Sequence, residues 1–208
     1  MLSRERDAWA TGRRFVAGVD EAGRGPLAGP VFAAAVWIER PFLEAEAGGA
    51  LVDVNDSKKL SPARRERILE LLLAAPQVHV AWAAAEVEEI TRLNILAATH
   101  LAMARALSAL VPPVDFALVD GLPVKGLPVP HLAVVKGDAT SLSIAAASIV
   151  AKVMRDRRML ELDRQYPQYG FARHKGYGTP GHLDAIRRFG PCPAHRPTFA
   201  PVSQLTLF

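Results

Sequence analysis

Val16-Ala17-Gly18-Val19-Asp20-Glu21-Ala22-Gly23-Arg24-Gly25-Pro26-Leu27-Ala28-Gly29-Pro30-Val31-Phe32-Ala33-Ala34-Ala35-Val36 decides how this chain folds. Two apolar runs flank a turn rich in Gly and Pro, the pattern of two paired strands. Asp20 and Glu21 stand where the first run, read as a strand over residues 15–20, meets that turn. Most acids beside glycines are solvated turn residues. Here an apolar strand delivers the pair, and Arg24 lies between two glycines whose bare backbone lets N–H groups approach an anion. Acids beside an anion cradle make chemical sense when divalent cations bridge carboxylate and phosphate. No Gly-Lys-Ser or Gly-Lys-Thr closes the turn, which excludes a nucleotide P-loop.

Outward from this stretch, the strand-and-acid pattern recurs. Val31–Ile38 is the second strand, and its Ala33, Ala34 and Ala35 leave room for a close neighbour. Val78–Ala85 reads as a third strand. Phe116-Ala117-Leu118-Val119-Asp120-Gly121 and Leu132-Ala133-Val134-Val135-Lys136-Gly137-Asp138 each run from apolar residues into an acid beside glycine. One Asp-Gly after a strand is usually only a turn. Three such ends in an α/β sheet can gather on one side, where sites form.

The intervening segments read as helices and loops. Residues 3–12 form a short polar helix, residues 40–50 a loop. Ser61 caps a helix that starts at Pro62, with Arg64, Arg65 and Arg67 on its first turns, a solvated basic face or a contact surface. Apolar residues at Leu96, Met103, Leu107 and Leu110 mark one helix over residues 93–110, with His100 packed on the same face. A long helix over residues 140–166 starts with small residues that suit tight packing on the sheet. Its later turns carry charges, among them Asp156, read as local ion pairs rather than a metal ligand.

Several of these segments together resemble the ribonuclease HII family. The resemblance is carried by Asp20-Glu21-Ala22-Gly23-Arg24-Gly25-Pro26-Leu27-Ala28-Gly29-Pro30-Val31, by Asp56-Ser57-Lys58-Lys59-Leu60, by Ala145-Ala146-Ala147-Ser148-Ile149-Val150-Ala151-Lys152-Val153 with Arg155-Asp156, and by His174-Lys175-Gly176-Tyr177-Gly178-Thr179. It runs from about residue 15 to 202. It implies an α/β ribonuclease H-like fold, a mixed central sheet of about five strands flanked by helices, with a helical C-terminal region. It also implies an endonuclease that cuts the RNA strand of RNA–DNA hybrids and cuts 5′ of single ribonucleotides in duplex DNA, in replication and repair. The implied catalytic and metal ligands are Asp20, Glu21, Asp120 and Asp138, holding Mn2+ or Mg2+, two ions with substrate bound. Because strand neighbours alternate faces, Asp20, Asp120 and Asp138 rank above Glu21 for direct ligation. Implied substrate contacts are Gly23, Arg24, Gly25, Lys58, Lys59, Ser148, Lys175 and Tyr177. On the residues alone Tyr177 could equally cap the core, and the resemblance turns it towards substrate. Ribonuclease HIII is the alternative enzyme, expected to carry an extra N-terminal domain where about fifteen residues precede the first strand here. A non-catalytic nucleic-acid or clamp adaptor is the alternative of another class.

Composition agrees without deciding. With 208 residues, half of them hydrophobic, the chain has ample material for a core, and 25 Lys and Arg against 21 Asp and Glu give a net charge of +4. The single Cys192 excludes an intramolecular disulfide and a cysteine-rich zinc site, and His174 and His182 lack the spacing of a helical zinc pair. The charged N-terminus is not a signal peptide, and no apolar run reaches membrane-spanning length, so the expectation is a cytoplasmic monomer without membrane contact. Residues 1–189 are expected to form the catalytic domain and residues 190–208 a proline-rich segment that wraps the fold. Gln204-Leu205-Thr206-Leu207-Phe208 resembles the short peptide by which bacterial replication and repair enzymes bind the DNA sliding clamp. In that resemblance Gln204 makes polar contacts while Leu205, Leu207 and Phe208 fill an apolar groove.

Overall fold

In the computed structural model, residues 1–205 are described, Leu205 without its side chain. Helix α1 (Ser3–Ala10) leads into β1 (Val16–Ala22) and β2 (Val31–Ile38), followed by α2 (Arg40–Glu46), α3 (Pro62–Ala74) and β3 (Val78–Ala85). Then come α4 (Val87–Leu93), α5 (Ile95–Ser108), β4 (Phe116–Asp120), β5 (His131–Val134) and α6 (Leu142–Gln165). The five strands form one sheet in the order β3-β2-β1-β4-β5. β1 is central, antiparallel to β2 and parallel to β4, so the sheet is mixed.

Alternation along β2 divides the core between the two faces of the sheet. Ala34, Val36 and Ile38 pack with α3 and the small residues of α6, whereas Ala33, Ala35 and Trp37 pack with Ala98, Ala102, Met103 and Ala106 of α5. Burying each of the larger aliphatic side chains contributes about 1.5–3 kcal/mol. The approach of α6 to the sheet is closest at Gly18, where an added Cβ would stand 2.1 Å from the backbone carbon of Ser143. Only glycine lets the start of α6 lie directly on β1.

Four local expectations need correction. Residues 40–50 are not all loop, because Pro41 starts the helix α2. The helix expected over residues 93–110 is α5 and begins only at Ile95, because Asn94, at φ 69°, ends the preceding α4 and caps α5 with its side chain. That break leaves Leu96 on the first turn of α5, 51% exposed, rather than on the buried face. β1 continues past Asp20, with Glu21 opposite Ala33 and Ala22 opposite Phe32, so the acids belong to regular strand. Finally, β5 stops at Val134, and Asp138 lies on a separate 3-10 turn, Gly137–Ala139.

Beyond α6 a 3-10 turn (Pro167–Tyr169) leads to α7 (Phe171–His174) and α8 (Pro180–Phe189). The proline-rich segment then returns to the sheet's first turn. His195 bridges Ala28, the Gly29 N–H donates to Ala194, and the Arg196 N–H donates to Leu27, each at 2.8 Å for the last two. A last turn of helix, α9 (Val202–Leu205), follows with Val202 buried. Among the described residues no helix is long and apolar enough to cross a membrane.

Candidate active site

The carboxylates come from the middle of the sheet. Val19 of β1 lies opposite Val119 of β4, so Asp20 and Asp120 follow on adjacent parallel strands. Asp20 is 7% exposed, and its Oδ1 accepts the Glu21 N–H at 2.7 Å. Ser148 of α6 stands beside the Asp20 carboxylate and favours its charge, and the Ser148 and Ser57 hydroxyls lie 2.7 Å apart. Asp120 Oδ1 accepts the Gly137 N–H at 2.7 Å, tying the end of β4 to the turn that carries buried Asp138.

These acids share one electrostatic neighbourhood. Burial raises the Asp20 pKa well above the ordinary carboxylate value, and the charges of Glu21 and Asp120 raise it further. Burial also raises Glu21, with Arg24 pulling it back and Asp120 pushing it up. For Asp138 burial comes first, then repulsion from Asp56 and Asp120, partly offset by Lys58. Asp20, Glu21 and Asp138 therefore lack a sufficient cation, and the Asp120 charge is a neighbour common to all three.

Asp20 and Glu21 line a cleft of about 240 Å³ with Gly23, Arg24, Gly25, Lys58, Ser148 and Tyr177, over Ser57, Lys152 and Arg155. Neighbours on a regular strand face opposite ways, yet both acids meet this cleft because it surrounds the strand's end. Gly23 has φ +100°, and an added Cβ would stand 1.9 Å from Arg155 Nε, so both its backbone and its space require glycine. Arg24 Nη1 sits 3.4 Å from Glu21 Oε1. Tyr177 is 48% exposed at the rim.

Not every expected residue converges. Lys59 is exposed and does not line the cleft, and Lys175 turns its Nζ back to the Ala172 carbonyl at 2.8 Å. Asp120 and Asp138 join the group through their charges rather than as cleft lining. Gln204 is exposed on α9, and Leu207 and Phe208 lie outside the described residues. Asp56 was not singled out, although it lies in the quoted Asp56-Ser57-Lys58-Lys59-Leu60 box. Asp156, in contrast, is ion-paired to Lys152 and Arg65, as the charge pattern predicted.

Whether a hard cation suits these groups can be judged from their chemistry. Among the described residues no three His, Cys, Asp or Glu side chains stand together as a preformed cage. Oxygen donors whose charges repel one another without a counter-charge are nevertheless what Mg2+ or Mn2+ stabilises. The fit rests on donor type and unbalanced charge.

A mixed five-stranded sheet with acids on adjacent central strands, flanked by helices, defines a ribonuclease H-like nuclease. The ribonuclease HII family profile matches residues 17–202. The ribonuclease HII of Rhodospirillum rubrum is 56% identical over 207 residues, covering 98% of this chain and 90% of that protein. Among solved structures, the ribonuclease H2 of Pyrococcus horikoshii superposes with a TM-score of 0.73 at 26% identity, over 92% of this chain and 96% of that one. A PCNA complex of ribonuclease HII from Archaeoglobus fulgidus gives a TM-score of 0.72 at 25% identity, over 89% and 95%. The chain belongs to the ribonuclease HII family, and is an endoribonuclease that depends on divalent metal.

Proposed function

We propose that this chain cuts RNA–DNA hybrids, and duplex DNA 5′ of a single embedded ribonucleotide, leaving a 5′-phosphate and a 3′-hydroxyl. The observation that carries this reading is the mutual repulsion of Asp20, Glu21, Asp120 and Asp138 beside a cleft lined by glycine backbone, Lys58 and Tyr177. Mn2+ or Mg2+, two ions with substrate bound, would supply the charge that activates water and stabilises the leaving oxygen. The four carboxylates would hold it.

The other roles follow from what each group can do. Lys58 offers a cation to a substrate phosphate next to Asp138. The backbone of Gly23, Arg24 and Gly25 and the hydroxyl of Tyr177 read the ribose 2′-hydroxyl, the group that separates RNA from DNA. Ser148 steadies Asp20 and faces the same cleft. During cleavage a water oxygen attacks phosphorus, the bond to the 3′-oxygen breaks, and that oxygen takes up a proton. Residues 1–189 are the catalytic domain, and residues 190–208 are a C-terminal segment ending in the clamp peptide. Support for a clamp comes from the exposed Gln204 and from the PCNA-bound relative.

The test is nicking of a duplex carrying one ribonucleotide, with Mn2+ and Mg2+ titrated separately. Ion-dependent cleavage at the 5′ side of the ribonucleotide is the expected result. Absence of any nick with either ion would leave a non-catalytic adaptor as the better reading.

A further inference from the structure

Arg196 is fully buried, and among the described residues no carboxylate pairs with it. Its guanidinium instead grips four backbone carbonyls of the first turn. Nη2 donates to Gly23 at 2.6 Å, Nη1 to Arg24 and Pro26 at 2.8 Å each, and Nε to Gly29 at 2.9 Å. A buried cation held by carbonyls and the Phe199 ring, with no carboxylate, is costly, and burial lowers its pKa to about 9. A cost of this kind is retained where the geometry it imposes is needed.

That geometry concerns the cleft. In a trans peptide the carbonyl and the following N–H point opposite ways. With the Gly23 and Arg24 carbonyls drawn inward to Arg196, the Arg24 and Gly25 N–H groups are turned away from it. Among the described residues neither N–H donates to a protein acceptor. Both residues line the cleft.

The same segment reaches Tyr177. The Cys192 N–H donates to His195 Nδ1 at 2.9 Å, which leaves His195 Nε2 to carry the proton. His195 Nε2–H then donates to His182 Nε2 at 3.1 Å, and His182 Nδ1–H to the Tyr177 carbonyl at 2.9 Å. Residues 192–196 thus hold both backbone segments that face the ribose.

We infer that Arg196 is the positioning residue for recognition of the ribose 2′-hydroxyl, fixing the two outward amides of residues 24 and 25 while His195 fixes Tyr177. The inference rests on the proposed reading of the ribose and names what keeps that reader in register.

Arg196→Gln and Arg196→Lys test it, with Tyr177→Phe alongside. Each is assayed on two duplexes of one sequence, one holding a single ribonucleotide and one the same nucleotide with fluorine in place of its 2′-hydroxyl. The ratio of the two kcat/KM values cancels the folded fraction, so general loss of structure leaves it unmoved. Arg196→Gln is expected to shift that ratio by about tenfold, as a displaced positioning group does, with Arg196→Lys in between. In metal-free buffer, amide exchange in Arg196→Lys is expected to quicken at Leu27 and Gly29, the first-turn amides bonded to the Gly176 and Ala194 carbonyls, while Val19 and Val36 keep their protection. A ratio moved by Tyr177→Phe but by neither Arg196 variant overturns the positioning role and spares the ribose reading. A ratio that no variant moves ends both. If neither Arg196 variant folds, the guanidinium is a structural cation and the inference falls.

Discussion

Asp20 occupies a position that disfavours its own charge. Its pKa in the folded chain is raised by burial and by Glu21 and Asp120. A group raised in this way binds its proton more tightly folded than unfolded, so its contribution to stability is present at low pH and is lost as pH rises through the raised value. Above that raised value the ionised Asp20 therefore opposes folding. Asp20→Asn should hold or raise the thermal midpoint in metal-free buffer while cutting the nicking rate by about 10²–10⁴-fold, the rate equivalent of the several kcal/mol of charge stabilisation that a well-held cation supplies. Adding Mn2+ should raise the midpoint of the unchanged chain more than that of Asp20→Asn, because only the former keeps the full charge for the ion to offset. Equal shifts in the two proteins would remove Asp20 from the ion's ligands. Arg155 shows the opposite limit of reading single residues. In sequence it is one cation in a charged helix, yet it is buried and donates to the carbonyls of Ala28 and Pro30, more than a hundred residues away. Such pairing follows from the tertiary path of the chain and leaves no local signal.

The strands were the most legible elements. Val31–Ile38 and Val78–Ala85 match their expected bounds because an apolar run between turn residues has few alternatives. The turn at Gly137–Ala139 was not legible, since Val135 extends the apolar run without joining the ladder. Packing between elements is where a small substitution should act most. Gly18→Ala would press a methyl group into the backbone of Ser143 at the start of α6, and neither strand nor helix can yield cheaply. Overpacking of this kind costs about 1–3 kcal/mol, read as a lowered denaturant midpoint with the slope unchanged. An unchanged midpoint would show that α6 can lift from β1. The C-terminal helices carry a different sensitivity. Burial lowers His182 and His195 from 6.5 to about 4, so both are neutral in the native chain at pH 7. The unfolded chain then binds more protons between those values, and stability is lost as pH falls from about 6.5 towards about 4. Thermal midpoints across that interval should fall, and His195→Gln, with one ring fewer to titrate, should flatten the fall. A slope identical in both would acquit the histidine pair.

Two ends of the chain serve the same molecule in different ways. The first turn after β1 forms the cleft, and residues 192–196 return across the whole sequence to brace it. Beyond that brace Val202 is buried, whereas Gln204 is exposed. A peptide that begins outside a braced segment can be bound by a partner without pulling on the cleft. Removal of residues 204–208 should therefore leave the nicking rate on a single-ribonucleotide duplex unchanged, because among the described residues those that line the cleft and grip the first turn all precede residue 204. The same deletion should abolish co-elution with a bacterial sliding clamp, since an apolar groove gains its affinity from the Leu and Phe side chains that fill it. The two measurements must be made on one preparation. Lost nicking would mean that the tail supports the fold, and retained co-elution would place the clamp contact elsewhere on the chain.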